Sequence, residues 1–145
     1  MRIALDMDGT FVDLYGVENW LEYLMNEDTT PYEIAKPLVS MTGLARVLNN
    51  LQREGWEIGI ISWTSKNGSR AYNKRVREAK EAWLAKHLKS VNFDFVEIVK
   101  YGTDKNIVNK GASILFDDEE KNRKNWNGIA AINPENLIKK LQYLK

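Results

Sequence analysis

Asp6-Met7-Asp8-Gly9-Thr10 places two carboxylates two residues apart at the end of a short apolar run, Ile3 to Leu5. If that run is a strand, the i, i+2 spacing sends both side chains to one side, where they converge on a point. Converging carboxylates repel each other and burial disfavours the charge on both, so the arrangement calls for a hard cation between them. Magnesium is the expected ion. Gly9 allows a sharp exit from the strand, and the Thr10 hydroxyl can tie down the turn. An Asp-rich strand end with glycine is equally an ordinary turn, and the pentapeptide alone does not choose.

Three further groups each follow an apolar run of strand type. Ser62 comes after Ile58-Gly59-Ile60-Ile61 and offers a hydroxyl to a phosphate oxygen. Lys105 lies in the loop after Phe93 to Ile98, where an ammonium can neutralise developing phosphoryl charge. Asp117-Asp118 follows Ile114-Leu115-Phe116 and brings the additional oxygen ligand a magnesium site needs. Singly these are weak, because a strand-end Ser is usually a cap and an Asp pair usually opens a helix. With 21 Lys and Arg, a nearby lysine is ordinary too.

In this order the four groups resemble the haloacid dehalogenase-like phosphatase superfamily, whose pattern is Asp-x-Asp-Gly-Thr, then Ser or Thr, then Lys, then an acidic pair. The resemblance implies a Rossmann-like parallel sheet, with Asp6 as the nucleophile that attacks phosphorus and Asp8 as general acid and then base. It further implies magnesium held by Asp6, the Asp8 carbonyl and Asp118, with Asp117 in support. Within the superfamily, the stretch Asp6 to Asp13, and Thr103-Asp104-Lys105 leading to Leu115-Phe116-Asp117-Asp118, are similar to the 5'(3')-deoxyribonucleotidases. That similarity selects Lys105 over Lys100 and Lys110. The chain differs from them in a shorter cap insertion and in Leu14, which stands where they tend to carry a base-stacking aromatic. The expected function is a magnesium-dependent phosphomonoester hydrolase acting on a nucleotide or related small phosphate ester. A short cap also suits a polynucleotide end phosphatase. A non-catalytic magnesium- or phosphate-binding module is the alternative of another class, although a binder has no need of Asp8 beside Asp6.

Positioning these residues requires strands that end at one edge. The apolar runs alternate with stretches of helical spacing, which implies crossover connections and a parallel sheet. The reading is an α/β fold, a Rossmann-like three-layer sandwich with about five parallel strands, the first central and the fifth at Gly128 to Ile132. Leu44, Val47, Leu48 and Leu51 predict a helix before Gly55. Tyr72, Val76, Ala79, Trp83 and Leu84 form the apolar stripe of a helix between Ser69 and Lys89. The rest of that helix reads as a solvated charged face with i, i+4 pairs Lys74–Glu78 and Arg77–Glu81. Asn133-Pro134 reads as the N-cap and first position of a closing helix that runs to about Leu144. Residues 1–145 are expected to form one domain. The stretch 14–41, with Pro31 and Pro37, fits the alternation poorly and reads as a small cap at the ligand-binding edge of the sheet.

Trp63 follows Ser62 and is grouped with it and Lys105 around the substrate phosphate, its ring a candidate to stack on a base. Tyr15, Trp20 and Tyr23 extend such a wall, with core filling the favoured reading for Trp20. The loop Thr64 to Arg70 can grip a second phosphate or simply cap the next helix through Ser69. His87, the only histidine, reads as favoured by the helix dipole.

The apolar share of 43% and charged share of 28% are ordinary for a globular chain. A formal net charge of +1 gives no overall field to attract nucleic acid or an anionic membrane. With no cysteine, disulfide frameworks and thiolate chemistry are excluded, and a cytoplasmic setting is expected. The first apolar run is too short for a signal sequence or a membrane span. Nothing in the sequence specifies an oligomeric state.

Overall fold

The computed structural model describes residues 1–109 and 113–144, so Lys110 lies outside the described residues. In chain order the strands are β1 Arg2–Leu5, β2 Val12–Asp13, β3 Lys36–Pro37, β4 Glu57–Trp63, β5 Phe95–Val99, β6 Ser113–Phe116 and β7 Ala130–Ile132. The helices are α1 Trp20–Met25, α2 Thr30–Ile34, α3 Met41–Arg53, α4 Arg70–His87, α5 Glu120–Asn125 and α6 Leu137–Gln142, with a short 3-10 helix at Lys105–Val108.

Five strands form one parallel sheet in the order β5-β4-β1-β6-β7, with β1 in the middle. Period-two alternation divides each strand between two layers. Ile3, Leu5, Ile58, Ile60, Ile114 and Phe116 meet Leu44, Val47, Leu48 and Leu51 of α3, Trp83 and Leu84 of α4, and Leu137 and Leu141 of α6. On the opposite face Ala4, Ile61 and Leu115 pack on Trp126, just beyond α5. A sheet covered on both sides explains why its strands read as nearly unbroken apolar runs. The architecture is the Rossmann-like α/β sandwich the sequence predicts.

The helix starts are set by local chemistry. Ser40 and Ser69 cap α3 and α4, each side chain accepting a backbone N–H three residues on, from Gly43 and Tyr72, at 3.1 Å. The closing helix departs from the sequence reading. Asn133 accepts the Glu135 N–H at 2.9 Å in a local turn, and α6 starts only at Leu137, after Asn136 in a left-handed conformation. Neither i, i+4 pair expected on α4 forms a salt bridge, and Arg77 donates instead to the Ile98 carbonyl at 3.0 Å.

The cap has a narrow base. β2 and β3 pair antiparallel, Val12 with Pro37 and Asp13 with Lys36, closing the insertion that carries α1 and α2. Leu14 and Tyr32 of the insertion pack on Tyr72, Val76 and Ala79 of α4, so the cap leans on that helix. Among the described residues, no helix is long and apolar enough to cross a membrane.

Candidate functional site

β1 stops at Leu5, level with Phe116, the last residue of β6, and with Ile60 of β4, which runs three residues further and carries Ser62 and Trp63 within the strand. The Asp6 N–H extends the ladder to the Phe116 carbonyl at 2.9 Å. The chain then coils tightly: Thr10, Phe11 and Val12 all donate N–H to the Met7 carbonyl, and the Gly9 N–H reaches the Val12 carbonyl at 2.9 Å. Gly9 is required twice over, by its φ of 79° and because a Cβ there would overlap the Asp118 carboxylate. The Thr10 hydroxyl donates to Asp6 Oδ2 over a long 3.4 Å.

Lys105 enters from the 3-10 helix, whose start is fixed by the Asp104 side chain accepting the Asn106 N–H at 2.9 Å. Its Nζ donates to Asp6 Oδ1 at 3.0 Å, Asp117 Oδ2 at 2.6 Å and the Ile61 carbonyl at 3.1 Å. Burial pulls its pKa down, but Asp6 and Asp117 together outweigh burial, and the net shift is upward. Asp117 is fully buried and its oxygens are filled: Oδ1 accepts the Glu119 N–H at 2.9 Å, and Oδ2 accepts Lys105 and Asn122 Nδ2, the latter at 3.1 Å. Burial and then Asp6 push Asp117 up to about 6 despite Lys105.

Asp118 is different. Burial, then the neighbouring Asp6 and Asp117, push it up to about 8, and among the described residues no Lys, Arg or His pairs with it. Arg123 Nη1 binds the carbonyls of Asp117 at 2.9 Å and Asp118 at 2.8 Å, which holds this backbone in place. Asp6, Asp117 and Asp118 each bring one oxygen within 4.8 Å of the others. Four carboxylates, those of Asp6, Asp8, Asp117 and Asp118, face two ammonium groups, Lys80 and Lys105, an excess of two negative charges when all are ionised. A hard divalent cation matches that excess, and Asp6 and Asp118 are the pair with oxygen to spare.

Lys80 is the residue the sequence reading missed. It belongs to α4, whose charged side chains were all expected in solvent, yet it is only 2% exposed. Its Nζ donates to Asp8 Oδ2 at 2.7 Å, Ser62 Oγ at 2.8 Å and the Trp63 carbonyl at 2.7 Å. The available signal was positional: Lys80 lies four residues after Val76 and four before Leu84, on the apolar stripe itself. Burial raises the Asp8 pKa, Asp6 adds to it, and Lys80 opposes both.

Asp6, Asp8, Ser62, Lys105, Asp117 and Asp118 form the floor of a cavity of about 580 Å³, which Lys80 itself does not line. α1 supplies one wall with Trp20, Leu21, Leu24 and Met25, while Trp63 and Tyr101, ring centroids 4.9 Å apart, stand among the other lining residues. No residue of α1 is buried, so Trp20 lines the cavity instead of filling a core, with Tyr15 edge-on at 5.0 Å. Tyr23 does not line it. Trp63 Nε1 donates to the Thr103 carbonyl at 2.9 Å, which leaves the ring face, 5.3 Å from Lys105 Nζ, as what Trp63 presents. Tyr32 and Tyr101 are lining residues that no motif announced.

Of the loop after β4, Thr64, Ser65, Lys66 and Asn67 line the cavity. Ser69 caps α4 while donating its N–H and hydroxyl to the Glu27 carboxylate at 2.7 and 2.9 Å. His87 lies outside the site, stacked on Trp83 at 4.1 Å, and burial, then Lys86, lower its pKa. No protein-family model matches the chain, nor does any curated protein, and its assignment therefore rests on these residues and their geometry.

Proposed function

We propose that the chain is a magnesium-dependent phosphomonoester hydrolase of the haloacid dehalogenase-like kind, acting through a phospho-aspartate on Asp6. The observation that carries this reading is the excess of carboxylate over ammonium on the cavity floor, with Asp118 lacking a cationic partner beside Asp6. Asp6, the Asp8 carbonyl and Asp118 would hold the ion, which when bound supplies electrostatic stabilisation of the phosphoryl oxygens.

The chain's own groups divide the work. An Asp6 oxygen attacks phosphorus as the bond to the leaving oxygen breaks, and the Asp8 carboxylic acid gives that oxygen its proton. Burial favours the protonated form Asp8 needs for this step. Asp8, now a carboxylate, takes a proton from water as the water attacks phosphorus, releasing phosphate and restoring Asp6. Lys105 and the Ser62 hydroxyl offset charge on the transferring group in a site largely shielded from solvent.

The size and aromatic lining of the cavity support a small phosphate ester with a planar body, a nucleotide in the first instance. A polynucleotide end is less favoured, because α1 walls the cavity and the Glu27–Ser69 contact ties the insertion that carries α1 to α4. The absence of cysteine supports a cytoplasmic setting. A magnesium-dependence screen across nucleotides, sugar phosphates and 3'- or 5'-phosphorylated oligonucleotides tests the reading. Turnover of a nucleotide, lost in Asp6→Asn, is the expected result. Binding of magnesium without turnover of any ester would replace the enzyme with a binding module.

A further inference from the structure

We propose that Lys80 is a positioning residue for this reaction, fixing the Asp8 carboxylate and the Ser62 hydroxyl in the mutual orientation that proton transfer at Asp8 requires. The inference rests on the phospho-aspartate reading above. Its ground is the ammonium on α4 that bridges the turn after β1 and the end of β4.

Burying an ammonium is costly unless it is paired and fully hydrogen-bonded, and a structural role at this point of a helix would be met more cheaply by an apolar side chain of similar length. Lys80 meets the full requirement. Its three N–H donors match three acceptors at 2.7 to 2.8 Å, and the Tyr32 ring centroid lies 5.3 Å from Nζ. Two consequences reach the reacting atoms. With Asp8 Oδ2 engaged, Oδ1 is the oxygen left to exchange a proton with the leaving group and then with water. With its oxygen accepting from Lys80, the Ser62 hydroxyl keeps its own proton to donate to the phosphoryl group. Lys105 cannot substitute, because its three donors are spent on Asp6, Asp117 and Ile61.

The test compares Lys80→Met, Asp8→Asn and their double mutant by rapid quench on p-nitrophenyl phosphate, whose leaving group needs no proton, and on phenyl phosphate, whose leaving group does. Lys80→Met should lose on the order of 100-fold on phenyl phosphate, the scale set by misplacing a reacting group. On p-nitrophenyl phosphate it should keep a burst of nitrophenol and accumulate phospho-Asp6. The double mutant should be no slower than Asp8→Asn, because both changes act through one group. Lys80→Arg keeps the charge, should recover part of the loss, and carries the same comparison if Lys80→Met does not fold. Equal losses in the phosphorylation step on both esters, multiplying with Asp8→Asn, would make Lys80 a structural residue and overturn the proposal. Wild-type quenches that turn over without phosphate on Asp6 would instead remove the underlying reading, and the role of Lys80 with it.

Discussion

At the scale of single residues, the proposed mechanism gives the two aspartates of the first turn unequal work, and their variants should differ in kind. Asp6→Asn has no anionic nucleophile, so turnover should fall to the detection limit with no phospho-enzyme in quenched mass spectra. Asp8→Asn should slow turnover by on the order of 100- to 10,000-fold and leave phosphate trapped on the Asp6 peptide. Wild-type turnover by Asp6→Asn, or a label on Ser62, would end the mechanism. Gly9→Ala should destabilise the fold by roughly 1–2 kcal/mol in denaturant titration, since its left-handed backbone disfavours a side chain. It should also weaken magnesium binding, because the added methyl meets Asp118. Asp6, Ser62 and Asp117 were legible in the sequence because each sits where an apolar strand run ends, a purely local mark. Lys80 was not, because its meaning depends on a partner 72 positions away. Trp63 was legible as a site neighbour but not in its bonding, since the Thr103 carbonyl that takes its indole N–H arrives from another loop.

At the scale of elements, α4 serves both the cap and the floor. Its N-terminal turns hold the insertion: Tyr72 Oη donates to the Asp28 carbonyl at 2.9 Å, Arg75 to the Glu27 carbonyl at 3.2 Å, and Ser69 to the Glu27 carboxylate. Glu27 keeps a left-handed φ of 53° there, a conformation that glutamate rarely takes without such ties. The Ser69 N–H and hydroxyl lower its pKa below the ordinary 4.5, so the clasp contributes fully above that value. Its contribution is lost as pH falls through the lowered pKa. Limited proteolysis near residues 26–30 should therefore be slow at neutral pH and accelerate on acidification, and Glu27→Gln should cut equally fast at both. Equal rates in the wild type across that range would show the clasp to be idle. The helix itself was legible from its stripe, but the start of α6 was not. The Asn133 side chain can cap a helix or close a turn with equal chemistry, and only the backbone of Asn136 decides between them.

At the scale of the whole molecule, the parallel sheet was legible because burial on both faces writes strands as apolar runs, whereas the cap, made of short elements and a first helix with no buried residue, carries no such pattern. Parallel strands bring every strand end to one edge, which is how residues from 6 to 118 share a floor. A cation bound only by the folded form must stabilise it. Magnesium at about 100 times its Kd should add about 2.7 kcal/mol, read as a rise in Tm, and Asp118→Asn should abolish the rise. An undiminished rise in that variant would move the ion elsewhere. The narrow base of the insertion has a longer reach. Its two ends are clamped side by side at Val12 and Pro37, and the Leu38 N–H bonds the Phe11 carbonyl at 3.0 Å. A segment whose ends are already joined can grow or shrink at small entropic cost, about 0.6 kcal/mol for each doubling of its length. Changes in length at the exposed turns around Gly16 and Asn26 are expected to leave the register of the main sheet untouched, because the clamp at Val12 and Pro37 lies between them and the sheet. On the proposed reading, cap length is thus the feature that can set the size of ester admitted without disturbing the strand ends that carry the chemistry.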